Sequence, residues 1–97
     1  MPGTLRISGR DYDLAAEGKS CLNVETMGMH YPWDNRIILN DSTAPGQIRS
    51  TSLHEVLHAC DNDAGTGLDE QAVTSLSSLL FAALRDNPQW VKWMMGW

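Results

Sequence analysis

Long apolar stretches are missing from this sequence. The longest, residues 79–84, falls far short of the roughly 18 residues a membrane-spanning helix requires. The opening residues, Met1-Pro2-Gly3-Thr4-Leu5-Arg6, contain no apolar core of the secretory type, so a cytoplasmic protein without membrane contact is expected. Cations are scarce: 7 Lys and Arg stand against 12 Asp and Glu, for a net charge of −5. Affinity for phosphate backbones comes from clustered Lys and Arg. The one loose basic pair, Arg6 and Arg10, is followed at once by Asp11 and Asp13, which argues against nucleic acid as a partner. Cysteine is limited to Cys21 and Cys60. In a reducing compartment both are free thiols, and Cys60 is expected as a small buried apolar residue. Internal repeats and low-complexity tracts are also lacking.

What remains is a chain of 97 residues with ordinary hydrophobic content, the size of one domain spanning 1–97. A core that small is marginal, and a bound metal is one way to reinforce it. The first half has strand periodicity. Leu5 and Ile7 alternate with polar neighbours, Gly9-Arg10 marks a turn, and Tyr12 and Leu14 alternate again, which predicts a hairpin. Residues 15–20 are expected to be loop. Leu22, Val24 and Thr26 alternate until Gly28 interrupts, and Pro32-Trp33-Asp34-Asn35 is turn chemistry. Arg36-Ile37-Ile38-Leu39-Asn40 is short, β-branched and bounded by turn residues, hence a strand.

The second half has helical periodicity. Ile48, Ser52, Leu53, Val56, Leu57 and Cys60 predict a helix over about 46–60, capped by Ser42 or Thr43 and with Pro45 near its first turn. A second helix is expected from Asp69, with Val73, Leu76, Leu80, Phe81 and Leu84 on one side, stopped at Asn87-Pro88. A last short helix spans about 89–96. A short connector makes the first two helices neighbours of opposite direction. The fold class is α+β: a small, mostly antiparallel sheet followed by a helical pair and a short C-terminal helix. Met27, Met29, Met94 and Met95 are expected as core filler.

His54-Glu55-Val56-Leu57-His58 is an H-E-x-x-H sequence inside the first of these helices. Residues four apart on a helix share a face, about 40° apart around the axis and about 6 Å along it. Two imidazole nitrogens can therefore converge on one ion at about 2.0–2.1 Å. Glu55 lies about 100° further round, unsuited to ligation but placed to touch a water on that ion. Zinc lowers the pKa of such a water to about 7, so Glu55 can act as a general base at neutral pH. For a chain with this His and Glu content, the pattern is expected by chance about 0.004 times. A third ligand is needed, and three acids compete. Asp61 follows His58 by three residues but lies about 10 Å along the axis from His54, which suits a helix-ending role. Asp69 is a good N-cap. Glu70 is longer and in phase with the inward residues, and is the preferred ligand, with Asp69 and Asp61 kept as alternatives. Both opening acids would also be favourable at a helix N-terminus with no metal at all.

These residues resemble the HExxH zinc metallopeptidases of the gluzincin type. The runs Thr51-Ser52-Leu53-His54-Glu55-Val56-Leu57-His58-Ala59 and Leu68-Asp69-Glu70-Gln71-Ala72-Val73 are similar to the small ImmA/IrrE-like metallopeptidases. Short proteins of this layout with an Arg85-Asp86-Asn87-Pro88-like helix ending are similar to ones often found in bacteriophage and prophage genomes. The resemblance covers roughly residues 36–88. It implies a zincin-like helical pair, Zn2+ on His54, His58 and Glu70, Glu55 as base, and an extended peptide or protein substrate added along Arg36–Asn40 as an edge strand. Gly65-Thr66-Gly67-Leu68-Asp69 echoes the Gly-Thr-x-x-Asp element of the Asp-ligand zinc peptidases, which keeps Asp69 in consideration. Such peptidases commonly place a Tyr or His to stabilise the oxyanion. None follows His58 here, leaving Tyr12, His30 and Tyr31 upstream as candidate donors.

Trp90, Trp93 and Trp97 form a stripe at helical spacing with Met94 beside them. Folding back on the domain's own core and docking a protein partner are both open to it. The functional expectation is a minimal zinc peptidase. Two alternatives stand beside it: a metal-stabilised binding module with weak or no catalysis, acting on a host or phage protein, and a metal-free structural protein.

Overall fold

The computed structural model describes residues 2–17 and 27–97. The expected alternation at Leu22, Val24 and Thr26 lies outside the described residues, as does Cys21. The chain opens with the expected hairpin, β1 (Thr4–Ile7) against β2 (Arg10–Glu17), antiparallel with Leu5 opposite Tyr12. Ser8 and Gly9 both have positive φ (53° and 79°), the twist that a two-residue hairpin loop needs to match its strands. β3 (Gly28–Tyr31) follows, then a single 3-10 turn at Pro32–Asp34 closed by Asn35 in the left-handed region, then β4 (Arg36–Asn40).

The sheet order is β1-β2-β4-β3, with β2 and β4 parallel and the other two pairs antiparallel. Two expectations are corrected here. Residues 15–17 are strand, not loop: Ala15, Ala16 and Glu17 pair with Ile38, Leu39 and Asn40. Alanine has little intrinsic strand preference, and the β4 ladder supplies what the sequence does not. Arg36–Asn40 is an interior strand, not an edge, because β2 occupies one side of it and β3 the other. Among the described residues, the outer strand of that side is β3.

Three helices follow: α1 (Pro45–Ala64), α2 (Glu70–Asp86) and α3 (Pro88–Met95). The α+β class and the mostly antiparallel sheet are as the periodicity predicts. α1 has no side-chain cap at its Ala44 N-cap. Ser42 and Thr43 instead close a turn on Asn40, with the Ser42 N–H donating to Asn40 Oδ1 at 3.0 Å and Thr43 Oγ1 donating to the Asn40 carbonyl at 2.9 Å. α1 also runs one turn beyond the expected end. Arg10 from the hairpin pairs with Asp63, and Gly65, at φ 67°, closes the helix by donating to the Asp61 carbonyl at 2.8 Å.

The core lies between one sheet face and α1: Ile7, Tyr12, Leu14, Ile37 and Leu39 meet Ala59, with Leu5, Ile48 and Val56 at the margin. α2 is turned slightly from the phase expected: Val73 is buried and Phe81 and Leu84 are half-buried as expected, but Leu76 and Leu80 are not. Its buried positions are Val73 and Ser77, while Leu76, Leu79 and Leu80 are exposed. Cys60 is exposed, and Met27, Met29, Met94 and Met95 are exposed as well, so neither set fills the core. No helix among the described residues is long and apolar enough to cross a membrane.

Candidate metal centre

The centre forms where α1 and α2 run past each other in opposite directions. The short link Gly65–Asp69 turns the chain so that Ser77 of α2 meets His54 of α1 while Glu70 meets His58. Asp61 organises that link. Its carboxylate accepts from Thr66 Oγ1 and from the Leu68 N–H at 2.9 Å. The Leu68 and Thr66 hydrogen bonds hold it below the usual carboxylate range. Asp69 caps α2, accepting from the Ala72 N–H at 2.7 Å. Both alternative ligands therefore serve the backbone, and Glu70, the first residue of α2, is the acid that reaches the histidines.

His54 Nε2 and His58 Nε2 lie 3.1 Å apart, with ring centroids 4.8 Å apart and planes at 70°. Glu70 Oε1 is 2.9 Å from His54 Nε2, and Glu70 Oε2 is 2.8 Å from His58 Nε2. A tetrahedral ion about 2.0–2.1 Å from each donor holds its ligands about 3.3 Å apart; these spacings are shorter, the lengths of direct hydrogen bonds, and a small separation of the three side chains would admit one small divalent cation. His54, Glu55 and His58 present ligand-type atoms within 4.8 Å of one another.

The far nitrogen of His54 fixes the chemistry of the near one. Ser77, whose hydroxyl donates to the Thr74 carbonyl at 3.2 Å, lies 3.3 Å from His54 Nδ1. A Ser77 hydroxyl that donates to Thr74 can accept from His54 Nδ1–H, the tautomer in which Nε2 is unprotonated. In that tautomer the Nε2 atom carries a lone pair aimed at Glu70 Oε1. Two acceptors 2.9 Å apart repel unless a proton or a cation lies between them. Ser77 is 3 % exposed. Its signal in the sequence was a hydroxyl in phase with Glu70 and Val73 on the inward side of α2, a position that periodicity alone assigns to an apolar residue.

Glu55 lines the same cleft from the side nearer β3 and is 5 % exposed. Its carboxylate stays near the pair, with Oε1 3.9 Å from His54 Nε2. Burial pushes its pKa up to about 7; His58 opposes the shift and Glu70 adds to it. Gly28 permits this packing. A Cβ there would lie 2.9 Å from Thr51 Cγ2, 3.1 Å from the Ile38 carbonyl oxygen and 3.3 Å from Glu55 Cγ. In the sequence this glycine shows as an interruption of strand alternation, a pattern that a break and a close approach share.

The centre opens into a cleft of about 690 Å³ between β3 and α2, walled by Met29 and His30 on one side and Glu70, Thr74 and Ser78 on the other. Of the three candidate oxyanion donors, only His30 lines this cleft. Burial, and secondarily His58, lowers its pKa, so it is neutral at neutral pH, and its Nε2 has no hydrogen-bond partner among the described residues. Tyr12 is fully buried in the core, its ring 5.7 Å from that of His30 and its hydroxyl without a partner among the described residues. Tyr31, one strand position on from His30, does not line the cleft. The Trp stripe is remote from the centre and exposed: Trp93 and Trp97 are 78 % and 75 % accessible, so it does not fold back into the core. No family model matches the chain, and no curated protein or solved structure matches it.

Proposed function

We propose that this protein is a zinc-dependent peptidase in which His54, His58 and Glu70 hold the metal and Glu55 is the general base. The proposal extends to the resemblance to ImmA/IrrE-like peptidases, and to a cytoplasmic setting, bacterial for a phage-encoded chain. One observation carries it. His54 Nε2, its lone pair favoured by Ser77, faces a carboxylate oxygen of Glu70 at 2.9 Å and the Nε2 of His58 at 3.1 Å. A divalent cation relieves that repulsion with the donor set and charge that suit zinc.

Bound zinc would polarise a scissile carbonyl and acidify a water. The remaining work belongs to the chain. Glu55, buried beside the proposed ligands, takes the proton of the attacking water and returns it to the leaving nitrogen. His30, on the β3 wall of the cleft, would be the donor to the developing oxyanion. The cleft between β3 and α2 accepts an extended peptide. Ser77 holds His54 in the ligating tautomer.

The test is elemental analysis of protein purified with zinc supplied, combined with hydrolysis of an unfolded protein substrate by the wild type and by Glu55→Gln. About one zinc per chain is expected in both, with hydrolysis at least about 100-fold slower in the variant. Zinc without hydrolysis in the wild type would replace the peptidase by the metal-stabilised binding module. Absence of zinc would remove both.

A further inference from the structure

The side of α1 that faces away from the metal centre is concave as well. There α1, α2 and α3 enclose a groove of about 760 Å³. Its floor is apolar: Leu53, Phe81, Leu84, Val91 and Trp97. Arg49, Arg85 and Lys92 also line it, which places three of the chain's 7 cations at one groove in a protein of net charge −5. Arg49 and Lys92 have no ion-pair partner among the described residues. Arg85 pairs with its neighbour Asp86 at 3.1 Å, both side chains being largely exposed, and its guanidinium lies over the Phe81 ring at 5.9 Å from the centroid. An exposed ion pair of that kind contributes about 0–1 kcal/mol and exchanges readily.

The three cations come from three different helices, one each from α1, α2 and α3. A ligand with one carboxylate needs at most two of them. A helix with acidic residues flanking an apolar stripe uses all three, and lays that stripe on the floor in the manner of amphipathic helices bound in grooves between helices. We propose that this groove docks an acidic amphipathic helix of a partner protein, with apolar anchors on Leu53, Phe81 and Trp97 and carboxylates on Arg49, Arg85 and Lys92. The docking face and the metal centre lie on opposite sides of α1, so a tethered partner leaves the cleft open. The surface does not depend on the peptidase proposal.

The test is a displayed library of random peptides about 16 residues long, selected on the zinc-supplied wild-type protein, with the binders then measured by fluorescence anisotropy. The expected result is enrichment of acidic peptides with apolar residues at i, i+3, i+4 and i+7. Their affinity should fall at least about tenfold in the triple variant Arg49→Glu/Arg85→Glu/Lys92→Glu, and should weaken with added salt. Unchanged circular dichroism of that variant shows that the fold is intact. If it unfolds, the single variants Arg49→Gln and Lys92→Gln are measured instead, each expected to weaken binding about threefold or more. Neutral or basic binders, or acidic ones indifferent to the charge changes, would overturn the proposal. So would self-association of the chain that these variants abolish, or equal binding to anionic lipid vesicles, since either names a different occupant.

Discussion

Ser77 Oγ lies 3.3 Å from His54 Nδ1 while donating its own proton to the Thr74 carbonyl. A buried serine on α2 thereby favours the tautomer of a histidine on α1 in which the unprotonated Nε2 faces Glu70 and His58. Replacing Ser77 with Ala removes the group that fixes the ring but leaves all three proposed ligands in place. Zinc affinity, measured by competition with a chromophoric chelator, should fall about 10–100-fold. Thermal stability without metal should change by no more than about 1–2 kcal/mol. An affinity equal to wild type would show that Ser77 does not orient the ligand.

Metal binding should stabilise the fold, because Glu70 joins α2 to the two histidines of α1 only when both helices are docked. At a free zinc concentration about 100 times Kd, the gain is about 2.7 kcal/mol. For a domain of this size that is a rise in Tm of roughly 10–20 °C. A chelator should reverse it, and Glu70→Ala should reduce it. A melting curve indifferent to zinc would count against the centre.

Glu55 makes the metal-free protein sensitive to pH. Its carboxyl is raised from 4.5 to about 7 in the folded state, so the folded form binds the proton more tightly than the unfolded chain. The stabilisation from that proton is complete below about pH 4.5 and is lost as pH rises through about 7. Urea denaturation in chelator, compared between wild type and Glu55→Gln, isolates the effect. The wild type should lose stability relative to the variant across that window, by up to about 1.4 kcal/mol per pH unit. Parallel pH profiles would show that Glu55 is not buried as described.

Gly28 is a packing constraint. A methyl group there meets Thr51 Cγ2 at 2.9 Å and the Ile38 carbonyl oxygen at 3.1 Å; the second is backbone within the sheet and has little freedom to move. Gly28→Ala should cost about 1–3 kcal/mol in equilibrium unfolding. It should also shift the pH dependence assigned to Glu55, whose Cγ is the third close neighbour. A neutral substitution would mean that β3 can move away from α1 at little cost.

The hairpin, the strand Arg36–Asn40 and the three helices announced themselves through spacing, whereas β3 and the end of β2 did not; the pairing of His54 with His58 did too, since an α-helix forces residues four apart onto one face. Asp61, Asp69 and Glu70 could not be ranked with the same force. Their separation depends on the Gly65–Asp69 link, where Asp61 gathers Thr66 and Leu68, and which leaves Glu70, though exposed, within reach of both histidines. The strand Arg36–Asn40 was legible as a strand but not as an interior one. Neighbour order in a sheet is a relation between distant segments, and nothing within five residues encodes it. The same holds for the oxyanion candidates. Alternation separates His30 from Tyr31, but only the packing of β3 on α1 says which of them sees the cleft.

The sequence by itself determined the class of the fold and the two imidazoles with their neighbouring carboxylate, because backbone geometry converts local spacing directly into a shared face. Tertiary structure decided the rest: which acid lies against the two imidazoles, that Ser77 stands beside His54 Nδ1, and that burial raises Glu55. Those properties arise from desolvation and from contacts between segments far apart in the chain, and they exist only once α1, α2 and β3 have come together.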